Sequence, residues 1–226
     1  MATTYKIVTF DVYSALLDIQ GSMTRTLADR LNLAENDAAA MMKTWREKQM
    51  ARAAMSNSLC LGRVPFKTCT RLGLDYVLAQ RGMDLTDADR NDLVKAWDVI
   101  DPWPEAKDVV SAIKAKGHTT AVLSNGDQDQ LEAVSAQFGA DMDHVLSSET
   151  AGNYKPHPSV YELPTRILGV TKTDVLHVAG SPNDALGATA FGMPCYWSNR
   201  QGDIPLDPAY AAPWSGADLR GVLSFL

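Results

Sequence analysis

The sequence predicts an α/β fold: a parallel sheet core with a block of helices inserted after its first strand. Three observations carry this. From residue 106 onward, amphipathic helical stretches alternate with short apolar, β-branched runs, the pattern of a parallel sheet covered by helices on both faces. One more run of the same type, "KIVTF" at 6–10, stands apart near the N-terminus. Between them, residues 22–100 contain no β-rich run and place apolar residues at three- and four-residue spacing, the mark of amphipathic helices.

Each element follows from local pattern. "IVTF" reads as a buried strand, and Asp11 stands at its carboxyl end. In the insertion, "SMTRTLADRLNL" and "DAAAMMKTWREKQMARAAM" are helical, with Asp37 expected to cap the second. Met41, Met42, Met50 and Met55 in that helix read as core packing. "FKTCTRLGLDYVLAQRG" and "TDADRNDLVKAWDVI" continue the helical block, and Thr86 is the expected cap of the latter. Two prolines in "DPWPEA" end it, and a helix follows from Ala106 to Lys116. Then come strand "HTTAVLSNG", helix "QDQLEAVSAQFG", strand "HVLSS", a helical "PSVYELPTRILG" interrupted near Pro164, strand "DVLHVAGS", helix "NDALGATAFG", strand "PCYWSN" and a closing helix in "ADLRGVLSFL". The expected architecture is a Rossmann-like core from residues 1–16 and 101–226, with a helical cap of residues 17–100 over the sheet's carboxyl edge.

Composition narrows the function. The 226 residues are 46% apolar and 21% charged, ordinary for a globular protein, and the net charge of -6 argues against a nucleic-acid partner. Three cysteines, Cys60, Cys69 and Cys195, lack metal-ligand spacing and suit a reducing compartment. No apolar run approaches the ~20 residues that span a bilayer, and "MATTYKIVTF" has none of the marks of a secretory leader. A cytoplasmic protein with no membrane partner is expected.

The chemistry gathers at the strand ends. In order they carry Asp11, then Ser124 and Asn125 in "LSNG", then Lys155 and Tyr161 in "NYKPHPSVY", then Ser181, Asn183 and Asp184 in "VAGSPND". Singly, each has a plain structural reading: Asp11 or Asp184 as a helix cap, "SNG" as a turn, Lys155 as a loop lysine. In a doubly wound sheet they converge on one crevice. Such a set suits nucleophilic catalysis, in which one Asp attacks, a Lys holds charge and a second Asp prepares water. The four histidines show no paired metal spacing, and His177, inside a strand, reads as packed. No "GxSxG" elbow is present. Trp97, Trp103 and Trp197 read as core or interface.

"FDVYSALLD", "LSNG", "YKPHPSVYEL" and "DALGATAFGMPCYWSNRQG", in this order, resemble the haloacid dehalogenase superfamily over nearly the whole chain, and within it the L-2-haloacid dehalogenase branch. The cap segment "TWREKQ" resembles that branch's arginine-containing segment. Phosphatases of the superfamily carry a second Asp two residues after the nucleophile and another in a "GDS"-type segment. Here those positions are Tyr13 and Gly180. A hard divalent cation wants several anionic oxygens, so no magnesium, no other cofactor and no phosphoryl transfer is expected.

The resemblance implies that Asp11 attacks C2 of a small 2-substituted carboxylic acid, forming an ester that water activated by Asp184 then cleaves. It implies that Ser124, Asn125 and the backbone near Tyr13 bind the substrate carboxylate. Lys155 would keep Asp11 ionised, Tyr161 would buttress Lys155, Arg46 from the cap would face the leaving group, and the protein would be a homodimer. Three departures are visible. Ser14-Ala15 replaces the branch's Gly-Thr, removing a hydroxyl near the nucleophile. "AGS" replaces its "SSN", leaving Ser181 or Asn183 to contact the water. "MARAAMSN" is less aromatic than the branch's cap. The main reading is a 2-haloacid dehalogenase. A ring-opening L-azetidine-2-carboxylate hydrolase, a metal-dependent phosphatase and a non-catalytic binding protein are the alternatives, in that order.

Overall fold

The computed structural model describes residues 5–60 and 62–226. Asp18–Asp101 form one compact unit, and the chain up to Leu17 and from Pro102 forms the other. The larger unit is built on six strands: β1 (Ile7–Phe10), β2 (Thr119–Ser124), β3 (His144–Ser147), β4 (Val175–Ala179), β5 (Cys195–Ser198) and β6 (Trp214–Gly216). They form one sheet in the order β3-β2-β1-β4-β5-β6, and every pairing is parallel.

β1 is buried at all four positions, as a β-branched run at the centre of a parallel sheet should be. Phe10 pairs with Val122 on one side and Val178 on the other. The carboxyl ends of β1, β2 and β4 therefore lie side by side. Chain order runs outward from β1 through β2 and β3, then crosses to β4, so the sheet reverses direction between β1 and β4. That reversal opens the crevice in which such sheets bind ligands.

Helices cover the sheet: α5 (Ala106–Ala115), α6 (Gln128–Ser135), α7 (Ser148–Ala151), α8 (Pro158–Tyr161), α9 (Leu163–Leu168) and α10 (Pro182–Phe191). They follow the helical block α1 (Ile19–Leu31), α2 (Glu35–Leu59), α3 (Phe66–Gln80) and α4 (Asp87–Lys95) of the smaller unit. The expected interruption near Pro164 falls at Glu162, between α8 and α9. Pro164 occupies the first turn of α9, where its missing N–H leaves no bond unmade. The core packs Leu123, Leu146, Val160, Leu163, Val175 and Trp197 against one another.

In the smaller unit α2 and α3 approach closely. A Cβ on Gly73 would lie 2.9 Å from the Gln49 backbone nitrogen, and the Trp45 Nε1–H donates to the Thr70 carbonyl at 2.7 Å. Trp45 meets Trp97 edge to face at 5.5 Å. Thr86 caps α4, accepting from the Asp89 N–H at 3.2 Å.

Four expectations are corrected. Asp37 is no cap: α2 starts at Glu35 after an extended Ala34, and Asp37 lies in the first turn, where its charge favours the helix dipole instead. Met41 and Met42 are buried, but Met55 is 55% exposed on the outer face. The C-terminal segment Leu219–Phe225 is a tighter 3-10 turn, and it contains Gly221, a poor helix former. Edge strand β6 was not expected, since three residues are too few to show an alternation. Among the described residues, no helix is long and apolar enough to cross a membrane.

Leu123, fully buried in β2, reports the core. Leu123→Ala should cost about 2–5 kcal/mol, read as a lower urea midpoint with an unchanged slope.

Candidate active site

The residues at the ends of β1, β2 and β4 meet in the larger unit. Asp11 follows β1, and its backbone N–H donates to the Val178 carbonyl at 2.9 Å, continuing the sheet by one bond. The chain then makes a wide turn, Val12–Leu16, closed by the Leu17 N–H on the Val12 carbonyl at 3.0 Å. An i→i+5 turn of this kind is rare and concentrates at functional sites. Asp11 opens it as its cap, so the plain structural reading of Asp11 also holds. Its Oδ2 accepts from the Ser14 N–H at 3.2 Å and the Ser14 hydroxyl at 2.8 Å. Its Oδ1 accepts from the Ser124 hydroxyl at 3.1 Å and lies 3.5 Å from Lys155 Nζ. Ser14 was not among the expected site residues, and it supplies a hydroxyl beside Asp11 one residue before Ala15; its i,i+3 spacing from Asp11 is that of an ordinary helix cap and could have flagged it.

Lys155 is 7% exposed. Its ammonium donates to Asp184 Oδ2 at 3.0 Å, so it joins both carboxylates. The Asn125 side-chain oxygen accepts from the Lys155 backbone N–H at 2.8 Å, fixing the loop that delivers it. Tyr161 places its ring 5.7 Å from Lys155 Nζ, while its hydroxyl donates to Asp184 Oδ1 at 2.8 Å. It therefore supports Asp184 as well as Lys155. Burial, and after it the Asp184 charge, pushes the Tyr161 hydroxyl well above its usual range and keeps it a donor.

Asp184 lies in the first turn of α10, which Ser181 caps by accepting from the Asp184 N–H at 3.3 Å. Burial alone would raise its carboxyl. The Lys155 charge first, then the electrostatic attraction and hydrogen bond of His177, and the Lys155 hydrogen bond overcome that and hold it well below the usual carboxylate range. Asn183, beside it, is exposed. Ser124 and Asn125 are engaged by Asp11 and Lys155 respectively, and Tyr13 is buried with its hydroxyl 2.8 Å from where a Cβ on Gly126 would stand. Arg46 belongs to the smaller unit, where its guanidinium donates to Gln49 Oε1 at 2.5 Å and faces the rings of Trp97 and Phe66 at 5.6 and 5.9 Å.

His177 was read as packed, and it is fully buried. Its Nε2 also lies 3.0 Å from Asp184 Oδ2 and 3.3 Å from Lys155 Nζ. A strand-interior histidine two residues before the strand's end could have been flagged, because it shares the strand that delivers Ser181 and Asp184.

These residues do not fit a hard divalent cation. The Lys155 ammonium already lies between the two carboxylates. A Cβ on Gly180 would lie 2.2 Å from Ser14 and Ala15 backbone atoms, so no acid can be added there without displacing the turn. Gly180→Ala should therefore lower the melting temperature by several degrees, as an overpacking cost of about 1–3 kcal/mol implies. A second expectation concerns acid. Asp184 is depressed in the folded state, so its contribution to stability is present above the ordinary carboxylate pKa of about 4 and is lost as pH falls below it. Stability should fall less steeply below about pH 4 in Asp184→Asn, measured by urea unfolding across pH.

The chain is 30% identical over 220 residues to the (S)-2-haloacid dehalogenase of Pseudomonas sp. (strain YL), covering 96% of this chain and 93% of that one. The solved L-2-haloacid dehalogenase RSc1362 superposes with a TM-score of 0.91 at 28% identity, covering 99% of each chain. The Xanthobacter autotrophicus L-2-haloacid dehalogenase with chloropropionic acid covalently bound gives 0.85 at 25% identity, covering 97% of each. The family model for haloacid dehalogenase-like hydrolases matches residues 5–192. That match takes in β1 through α10, and with them every group around Lys155: the chain belongs to the haloacid dehalogenase-like hydrolase family.

Proposed function

We propose that the protein is a 2-haloacid dehalogenase. The observation that carries this reading is the buried Lys155 ammonium joining Asp11 and Asp184 at the sheet's switch point. Asp11 attacks C2 of a small 2-haloacid, the halide leaves, and an ester joins Asp11 to the substrate. Lys155, with its Nζ 3.5 Å from Asp11 Oδ1, orients the attacking carboxylate. Water then gives a proton to Asp184 and adds to the carboxyl carbon of Asp11, releasing the 2-hydroxy acid. Ser124, Asn125 and the backbone of the Val12–Leu16 turn hold the substrate carboxylate, and Ser181 or Asn183 contacts the water. The relatives named above support the halide as leaving group, and one of them carries chloropropionic acid bound covalently.

The role of Arg46 rests on the resemblance of its segment. A cytoplasmic location is supported by three cysteines that form no disulfide. A homodimer is supported by resemblance alone, and sedimentation at micromolar concentration tests it.

The covalent step has a direct test. One turnover of a short 2-haloacid in heavy-oxygen water should leave the product unlabelled and place the label on Asp11, while repeated turnovers label the product. Label in the first product would make Asp11 a base acting on water, and the reading would fail. Asp11→Asn should abolish halide release. Arg46→Lys should lower turnover by about 10- to 100-fold, because a compact ammonium does not reproduce the planar fork. Azetidine-2-carboxylate, run beside the haloacid, should give no ring-opened product.

A further inference from the structure

His177 is the one buried titratable group at the site that this mechanism leaves without a task. Its surroundings come from every side. Thr9 and Cys195 are its register neighbours on β1 and β5. Tyr161 on α8 meets its ring edge-on at 6.0 Å. Asp184 from α10 and Lys155 from the preceding loop face its Nε2, and Asp11 lies beyond Lys155. Burial, and then the Asp184 charge, pushes the Cys195 thiol far up, so it stays neutral. The charged neighbours are thus two carboxylates and one ammonium.

The contacts assign the ring's proton. Lys155 has only donors, so Nε2 can bond to Lys155 only if it is bare. A bare Nε2 would then face Asp184 Oδ2 at 3.0 Å, acceptor against acceptor. Protonated, Nε2 donates to Asp184 along the shorter of the two contacts. Nδ1 meets the Thr9 hydroxyl at 2.8 Å, which fixes the ring's orientation. With Tyr161 on Oδ1 and Lys155 and His177 on Oδ2, three donors from three elements prevent the carboxylate from turning.

We propose that His177, with its Nε2–H donating to Asp184 and its ring oriented by Thr9 at Nδ1, is a positioning residue that holds Asp184 for ester cleavage. The inference rests on the proposed function. In that step water passes a proton to Asp184 as its oxygen bonds to the Asp11 carboxyl carbon. The ester C–O bond to the product breaks, and the product oxygen takes the proton back. His177 touches Asp184 directly and Asp11 only through Lys155, so its loss should slow cleavage more than ester formation.

Rapid-quench kinetics with a short 2-haloacid separates the steps, reading halide for formation and added mass on the Asp11 peptide for the ester. His177→Phe should slow cleavage about 10- to 100-fold, a misplaced-group effect, with the adduct accumulating. Formation should change by less than about threefold, and His177→Gln, which keeps a donor, should recover most of the loss. Equal slowing of both steps with no recovery in His177→Gln, or unchanged cleavage in His177→Phe, would overturn the proposal. Histidine nitrogen NMR, assigned with the His177→Gln variant, supplies an arm independent of turnover. It should show a protonated Nε2 at neutral pH, perturbed in Thr9→Val, and a bare Nε2 would overturn the proposal. If the wild type forms no ester on Asp11, the dehalogenase reading fails, and the NMR arm still decides the His177–Asp184 contact.

Discussion

The site depends on one ammonium buried between two carboxylates. Lys155, Asp11 and Asp184 are each less than a tenth exposed, and charges removed from water are stable only when paired and hydrogen-bonded. One ammonium cannot by itself satisfy the oxygens of two carboxylates, so other donors must share them. Ser14 and Ser124 serve Asp11; Tyr161 and His177 serve Asp184. Removing Lys155 would leave two like charges facing each other in a low-dielectric pocket, where repulsion is strong. Formation of an ester on Asp11 would cancel one of them and leave Lys155 paired with Asp184 alone.

The sheet makes this cluster affordable by delivering its members on rigid elements. β1 brings Asp11, β2 brings Ser124 and Asn125, and β4 with α10 brings Ser181 and Asp184, all at the same edge because the strands are parallel. Asn125 ties the Lys155 backbone to the end of β2. The turn after Asp11 and the end of β4 are in backbone contact at Gly180, where a side chain would have no space. That close approach leaves no space at Gly180 for the acid that superfamily phosphatases carry at this position.

The smaller unit shows comparable preorganisation around Arg46. Its guanidinium has a partner in Gln49, which is itself held by Thr70 at 2.5 Å, and it lies against the faces of Trp97 and Phe66. Trp45, fixed by its own bond to Thr70, supports Trp97. The loss of aromatic residues from "MARAAMSN" is therefore accompanied by aromatic packing from α3 and from the segment after α4.

The sequence by itself determined the sheet, the helical insertion and the main polar groups. Buried parallel strands need continuous β-branched runs, and the acids that end them are visible in one dimension. Tyr13 and Gly180, at the positions where superfamily phosphatases carry acids, are also legible in one dimension. Three-residue β6 escaped notice, since a run that short carries no period. Only the tertiary structure decided which donor serves which carboxylate. Ser14 gives Asp11 both its N–H and its hydroxyl as the third residue after a cap. His177 reaches Asp184 because strand pairing with Thr9 and the fold of α10 bring together residues seven apart. Ser124, Asn125 and Tyr161 likewise took their partners from packing. A hydrogen bond between side chains depends on ångström distances across elements, and the order of residues along a chain does not contain them.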